Sequence, residues 1–343
     1  MIEWNEHQFQ GGPMVSEALI AELLPRAFDS TGKAEGEGKV REWWNLPGGQ
    51  RFLATTDRIS AFDRVLAAVP FKGQVLNELS AFWFRACADI MPNHLVSLPD
   101  PNCAVVRGAE PLSVEVIVRG YITGVTSTAL WRRYELGERT IYGQAFPDGL
   151  RKNQKLPAPV ITPTTKGGPT GHDERLEPRE VVEKGYVGAR LWKQVEEAAL
   201  ALFARGTDIA AKAGLILVDT KYEFGLTPDD SLMLIDEVHT PDSSRFWLAS
   251  SYGERFEAGL EPESRDKEFV RLFYAELGYR GDGEIPKLDD SVWIKTSLLY
   301  QELYEKLTGL PFVPASYPAA PRVLRALEAS RTLGAARTEG AKS

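Results

Sequence analysis

The stretch LILVDTKYEFGLTPDDSLMLIDEVHTPDSSRFW, residues 215–247, decides how the chain is read. Two runs rich in β-branched and aromatic residues, LILVDTKYEF and SLMLIDEV, flank GLTPDD, which has turn composition. The pattern predicts a β-hairpin. Strand alternation places Asp219, Lys221 and Glu223 on one face, with Val218, Thr220 and Tyr222 on the other. The partner strand delivers Asp236 and Glu237 to the same neighbourhood. Acids converging in this way repel one another unless a cation lies among them. Hard oxygen donors without His or Cys partners suit Mg2+, which binds through one or two carboxylates plus phosphate oxygens. The alternative is a solvated hairpin with cross-strand ion pairs. The metal reading is favoured because a solvated face has no need of the polar loop that follows, HTPDSSR.

That loop gathers hydroxyls and a guanidinium, and Arg binds phosphate or carboxylate through paired N–H donors. Arg119, emerging from the apolar strand VEVIVRG, also needs a partner. For each arginine alone a structural salt bridge competes on equal terms. GEGKVRE (36–42) could lay backbone N–H groups, Lys39 and Arg41 along a polyphosphate, but it matches no established phosphate-loop spacing. TPTTKGGPTGHDE (162–174) reads as a substrate lid carrying Lys166, His172 and Asp173. His7, His94 and His239 have no metal-ligand spacing.

At 343 residues the chain suits one large domain or two ordinary ones. Its 43% hydrophobic and 26% charged residues are those of a soluble globular protein. A net charge of −8 argues against a nucleic-acid surface. No apolar run is long enough for a bilayer, and the N-terminus resembles no targeting peptide. Cys87 and Cys103 form no disulfide framework, and Cys87 reads as a buried thiol in a reducing compartment, so a cytoplasmic protein is expected.

Helical spacing predicts a helix over 16–24 behind a Ser cap. It predicts another within VLNELSAFWFRACADIM, a pair across EPREVVEKGYVGARLWKQVEEAALALFARGTDIAAKAG closed by Gly214, and helices at 267–277 and 290–307. CAVVRG and SVEVIVRGYITG read as strands. Residues 144–180, rich in proline and glycine, are expected to be a long loop without extended regular elements. After about Pro321 a short helix with a frayed end is expected.

GKVRE, TDRISAFD, KGQVLNELSAFWF, VRGYITG, KNQKLPAPVITPTTK, GHDE, GLILVDTKYEFG and IDEVHTPDSSRFW closely resemble, in order, segments of the SAICAR synthetase (phosphoribosylaminoimidazole-succinocarboxamide synthase) family of purine biosynthesis. They cover most of residues 38–315. The resemblance implies an α+β protein: a β-rich ATP-binding lobe like the protein-kinase small lobe (16–118), packed on a larger α+β substrate and metal-binding domain (119–320), with the active site in the cleft between them and a tail (321–343). It implies that L-aspartate is joined to the carboxylate of carboxyaminoimidazole ribonucleotide, with ATP converted to ADP and phosphate. Catalytic positions carried over are Lys221, Asp219 and Arg119. Lys39, Arg41 and Glu115 would meet ATP, and Glu223 and Asp236 would hold Mg2+. Arg119, Arg245, Ser243, Ser244, Lys166, Asp173 and Thr126 would meet substrate. Small molecules are thus the expected partners, and a homo-oligomer is left open.

The family's usual TGS reads TGVTST here. Val125 replaces a serine hydroxyl, and Thr126 or Ser127 is expected to supply the donor instead. Two rival classes compete with this reading. A ligase or kinase for another acid would not need the Arg119/Arg245 pair, and a non-catalytic nucleotide binder would not be expected to keep the carboxylates Asp219, Glu223 and Asp236.

Overall fold

The computed structural model describes residues 15–126, 128–166 and 174–340, with side chains described to 334. Ser16 caps α1 (Glu17–Leu23), its hydroxyl accepting from the Leu19 N–H. A first antiparallel sheet follows: β1 (Gly36–Glu37), β2 (Arg41–Leu46) and β3 (Gln50–Thr55). After the hairpin β4 (Arg58–Ala61) and β5 (Arg64–Ala68) comes α2 (Lys72–Ala86), and β6 (Leu95–Asp100) and β7 (Cys103–Arg107) complete the sheet in the order β1-β2-β3-β7-β6. Alternation gives it two covered faces. Leu53, Thr55, Ala104 and Val106 face α2, while Phe52, Ala54, Cys103 and Val105 face the C-terminal helix.

The second sheet carries the candidate site. β8 (Glu110–Pro111) and β9 (Val114–Ile122) lead through α3 (Leu130–Glu135), β10 (Thr140–Ile141) and β11 (Gln144–Ala145) to β12 (Gln154–Thr165). Helices α4 (Pro178–Glu183) and α5 (Ala189–Lys212) precede β13 (Leu215–Leu226), β14 (Leu232–Ile235) and β15 (Ser244–Leu248). The order is β12-β9-β13-β14, with β15 and β8 also on β13. The expected hairpin is β13–β14, with Glu223 opposite Ile235. Four helices follow: α6 (Ala249–Glu257), α7 (Glu268–Glu276), α8 (Asp290–Thr308) and α9 (Ala319–Gly340). The result is a mixed α and β architecture whose named strands all pair antiparallel. No helix among the described residues is long and apolar enough to cross a membrane.

Helix α5 packs on β13 and β9, where Gly120 meets the Phe203 ring. Gly206 is required on α5. A Cβ there would fall 2.4 Å from the His239 ring and 2.7 Å from Leu217. Gly214 follows α5 with φ +70, as a left-handed helix stop should.

Three expectations are corrected. The stretch 144–180 is not loop throughout, because β12 runs twelve residues through Pro157, Pro159 and Pro163. It is an edge strand with a register shift between Lys155 and Val160, so missing N–H donors cost little there. Val218 does not join Thr220 and Tyr222. A bulge between Leu217 and Asp219 puts it with Tyr121 and Trp247. The tail is also no short helix. Val323 and Leu327 of α9 are buried against Trp44, Phe52 and Val105, and Arg322 bonds to Asp100 and Asn102. A boundary at 118/119 would fall inside β9.

Candidate active site

The chemistry lies on one face of the second sheet, in two groups fixed by register. In the first, Asp219 on β13 stands opposite Arg119 on β9 and opposite Arg245 on β15. Three neighbouring strands thus present a guanidinium, a carboxylate and a guanidinium in one row. Asp219 Oδ2 accepts from Arg245 at 2.5 Å and from Arg119 at 3.3 Å. Arg119 Nε donates to the Thr162 hydroxyl at 2.8 Å. Glu268 on α7 accepts from Arg245 at 3.4 Å and from Arg271 at 3.1 Å. Three guanidiniums therefore stand among Asp219, Glu268 and the nearby buried Asp266, whose charge also acts on Arg245. Arg119, Asp219 and Arg245 are buried, so their charges are poorly screened. Gly124 allows the neighbouring loop to close on this group. A Cβ at its φ of +91 would lie 3.2 Å from an Arg245 nitrogen. Val125 lines a small cavity there with Arg245, Trp247 and Glu268.

The second group centres on Lys221. Its ammonium bonds to Glu115 at 3.1 Å, to Asp236 at 3.2 Å and, in a shorter contact, to Glu223. Lys166 pairs with Glu223 at 2.5 Å, and Arg41 pairs closely with Asp236 and at 3.2 Å with Glu237. Burial opposes the Asp236 charge, but Arg41 and Lys221 beside it hold its carboxyl below the ordinary value. Burial likewise disfavours the Lys221 charge, and Asp236, Glu223 and Glu115 outweigh it and raise its pKa. Asp236 sits just beyond β14 with φ 68, a left-handed backbone that Asp tolerates better than most residues.

The converging acids thus have resident counterions in Lys221, Arg41 and Lys166. Among the described residues, no group of three or more His, Cys, Asp or Glu side chains could hold a metal ion alone. Glu223 and Asp236 remain adjacent through the shared Lys221 ammonium, and both reach the surface with side chains 17% and 21% exposed. That donor set fits Mg2+, which takes one or two carboxylates and fills its other positions from phosphate and water.

Other expected residues lie apart. Lys39 pairs with Asp63 at 2.5 Å, both about half exposed, instead of joining the Lys221 group. Ser244 is buried and bonds to the Thr220 hydroxyl at 2.7 Å. The Ser243 carbonyl accepts from the Lys221 N–H at 2.9 Å, which ties the loop to β13. Thr126 is half-buried on the loop of Val125. Asp173, His172, Ser127 and His7 lie outside the described residues.

Sequence reading gave no role to Thr162, Glu268, Arg271 or a buried group around Asp242. Asp242 lies 2.9 Å from Lys72, accepts from Tyr300 at 2.8 Å and lies 3.7 Å from Lys267. Burial pushes Asp242 up, yet Lys267 and Lys72 bring its pKa down to about 2. Of these residues Asp242 and Thr162 stood in stretches already under suspicion. Glu268 and Arg271 sit on an ordinary amphipathic helix, and Lys72 opens another.

His239 is a core residue, its Nε2 2.5 Å from the Tyr222 hydroxyl, and burial lowers its pKa to about 3. A depressed histidine contributes its full stability above the ordinary value of 6.5 and loses it progressively as pH falls toward 3. Glutamine does not titrate. The stability deficit of His239→Gln is therefore largest at neutral pH and narrows by about 2 kcal/mol on going to about pH 5. Urea unfolding of both proteins across that range checks it, and a deficit independent of pH contradicts it.

One sheet face thus lines up two arginines around a carboxylate, next to an ammonium ringed by carboxylates. The model of the SAICAR synthetase family matches residues 35–287. A phosphoribosylaminoimidazole-succinocarboxamide synthase of Legionella pneumophila (strain Lens) is 50% identical over 284 residues, 82% of this chain and 90% of that protein. The solved SAICAR synthase of Saccharomyces cerevisiae complexed with SAICAR superposes with a TM-score of 0.70 at 34% identity, over 83% of this chain and 97% of that one. A SAICAR synthetase solved in complex with ADP shares the fold, with a TM-score of 0.62 at 23% identity, over 81% of this chain and 99% of that one. The chain belongs to the SAICAR synthetase family, the ligases that make SAICAR in purine biosynthesis.

Proposed function

We propose that the two groups on the second sheet are the two halves of one ligase site. The row Arg119–Asp219–Arg245, extended by Arg271, takes the phosphate of carboxyaminoimidazole ribonucleotide. The Lys221 group takes the reacting carboxylate and ATP. The first sheet with α2 serves as an ATP-binding lobe of the protein-kinase small-lobe type, with Arg41 at its inner edge, Lys39 at its rim and Glu115 of β9 facing it from the second sheet. Glu223 and Asp236 would hold Mg2+, which supplies charge neutralisation of the ATP phosphates when bound. The observation that carries the reading is the Arg119–Asp219–Arg245 row, because two buried guanidiniums share one carboxylate oxygen and have further N–H donors to offer an anionic ligand.

The substrate carboxylate oxygen attacks the γ-phosphorus of ATP, giving an acyl phosphate and ADP. The aspartate amine then attacks the acyl carbon, phosphate leaves, and the amine proton goes to solvent. No protein nucleophile is required. The residues contribute position and charge. Lys221 neutralises the carboxylate as it approaches the polyphosphate, and the arginine row fixes the far end of the nucleotide. Asp173 and Thr126 are proposed to contact substrate from their loops, and Ser243 and Ser244 to shape the phosphate pocket through their backbone. The buried free thiols Cys87 and Cys103 suit a reducing compartment, and the cytoplasm is the proposed location.

ADP release measured with each substrate omitted in turn, and the product identified by mass, tests the activity. ADP formed without the ribonucleotide, or a product lacking the aspartate mass, contradicts it. Arg245→Lys tests the phosphate site. The charge stays but the fork is lost, so KM for the ribonucleotide rises by the equivalent of about 1–3 kcal/mol while KM for aspartate holds. An unchanged ribonucleotide KM would move phosphate recognition elsewhere.

A further inference from the structure

Glu237 is a buried carboxylate beside Asp236 for which the proposed chemistry has no use. Arg41 already has Asp236 as its closest partner, so a second acid next to the first is unfavourable unless other contacts hold it. Its contacts point to another role. Oε2 lies 3.2 Å from an Arg41 nitrogen, and the same oxygen accepts from the Thr240 hydroxyl at 2.6 Å. Thr240 is fully buried, and its hydroxyl oxygen accepts from the backbone N–H groups of Ser243 at 3.2 Å and Asp242 at 3.3 Å. The Thr240 carbonyl accepts from the Ser244 N–H at 2.9 Å. Arg245 follows directly.

A continuous path therefore runs from Arg41 on the first sheet through one carboxylate oxygen and one hydroxyl to the turn that aims Arg245. The turn is anchored from behind, where Asp242 meets Lys72 of α2, Tyr300 of α8 and Lys267. Glu237 lies between two left-handed residues, Asp236 at φ 68 and His239 at φ 47. Such backbone costs free energy and persists where surrounding contacts over-determine it. Here those contacts are the Arg41 pair on one side and the His239 packing against Tyr222 and Gly206 on the other.

We infer that Glu237 is a positioning residue that couples the ATP side of the cleft to the ribonucleotide side, holding Arg41 and the 240–245 turn in one mutual arrangement. The inference rests on the assignment of those two sides under the proposed function. It predicts a specific pattern of constants. Glu237→Gln weakens both ends of the path, so KM for ATP and KM for the ribonucleotide each rise about tenfold, the scale of one charge-assisted hydrogen bond, while KM for aspartate stays within about twofold. Thr240→Val cuts the path beyond the carboxylate, so only the ribonucleotide KM rises, and Thr240→Ser restores it. In the double variant Glu237→Gln/Thr240→Val the ribonucleotide KM is no higher than in the worse single variant, because both changes break the same path.

The measurement is steady-state kinetics on the full chain with each substrate varied, with the melting temperature of every variant recorded. An ATP or ribonucleotide KM at the wild-type value in Glu237→Gln, or effects that multiply in the double variant, would overturn the inference while wild-type turnover upholds the functional reading. A wild-type chain that forms no amide product overturns both. If Glu237→Gln does not fold, Glu237→Asp, which keeps the charge and loses one methylene of reach, must raise both constants for the inference to stand.

Discussion

Replacing Lys221 by Met removes turnover by at least about a thousandfold and lowers stability by about 3–5 kcal/mol. The side chains are similar in length, so the change is one of charge. In the folded protein the ammonium is the common partner of Glu115, Glu223 and Asp236. Without it Arg41 still neutralises Asp236 and Lys166 still neutralises Glu223, but three carboxylates face one another across the space it occupied. One of them should take up a proton, so the variant's stability deficit shrinks as pH is lowered through the carboxylate range. Activity and thermal melting measured together separate the effects. A variant that melts like wild type would show that the ammonium is not what holds the acids together. Near-normal turnover would remove Lys221 from the reacting carboxylate.

Asp236→Asn should reduce turnover by about a hundred- to a thousandfold with far less loss of stability than Lys221→Met. The backbone at position 236 is left-handed, and asparagine accepts that conformation as readily as aspartate. Neither cation beside it is orphaned, since Arg41 keeps Glu237 and Lys221 keeps Glu115 and Glu223. What is lost is an anionic oxygen within reach of solvent. If that oxygen holds Mg2+, the rise in melting temperature produced by millimolar Mg2+ with ADP in wild type disappears in the variant, and also in Glu223→Gln. A variant that keeps both the Mg2+-dependent melting shift and turnover would show that the metal binds elsewhere.

Much of this site was legible because its residues are local. The hairpin 215–235 follows from composition, and period-two alternation put Asp219, Lys221 and Glu223 together. Arg119 stood out as a charge at the end of an apolar run, and Arg245 as the guanidinium of a polar loop. The pairing of both arginines with one carboxylate was not legible. It depends on which strands flank β13 and on a bulge at Val218 that shifts register by one residue. Nor could spacing show that the acids had cations of their own, because Arg41 is 195 residues from Asp236 in the chain. The prolines of β12 misled for a related reason, since only strand order makes that segment an edge.

By itself the amino-acid sequence determined the elements, the hairpin, the chemical types gathered on it and the family likeness, all of which rest on periodicity and contiguous motifs. Only the tertiary structure decided which charges meet. Asp219 belongs with the arginines and Asp236 with Lys221 and Arg41, and Glu237 bridges Arg41 to Thr240. Charge pairing is a property of distance and burial, and both are set by strand register and sheet order between segments far apart in the chain.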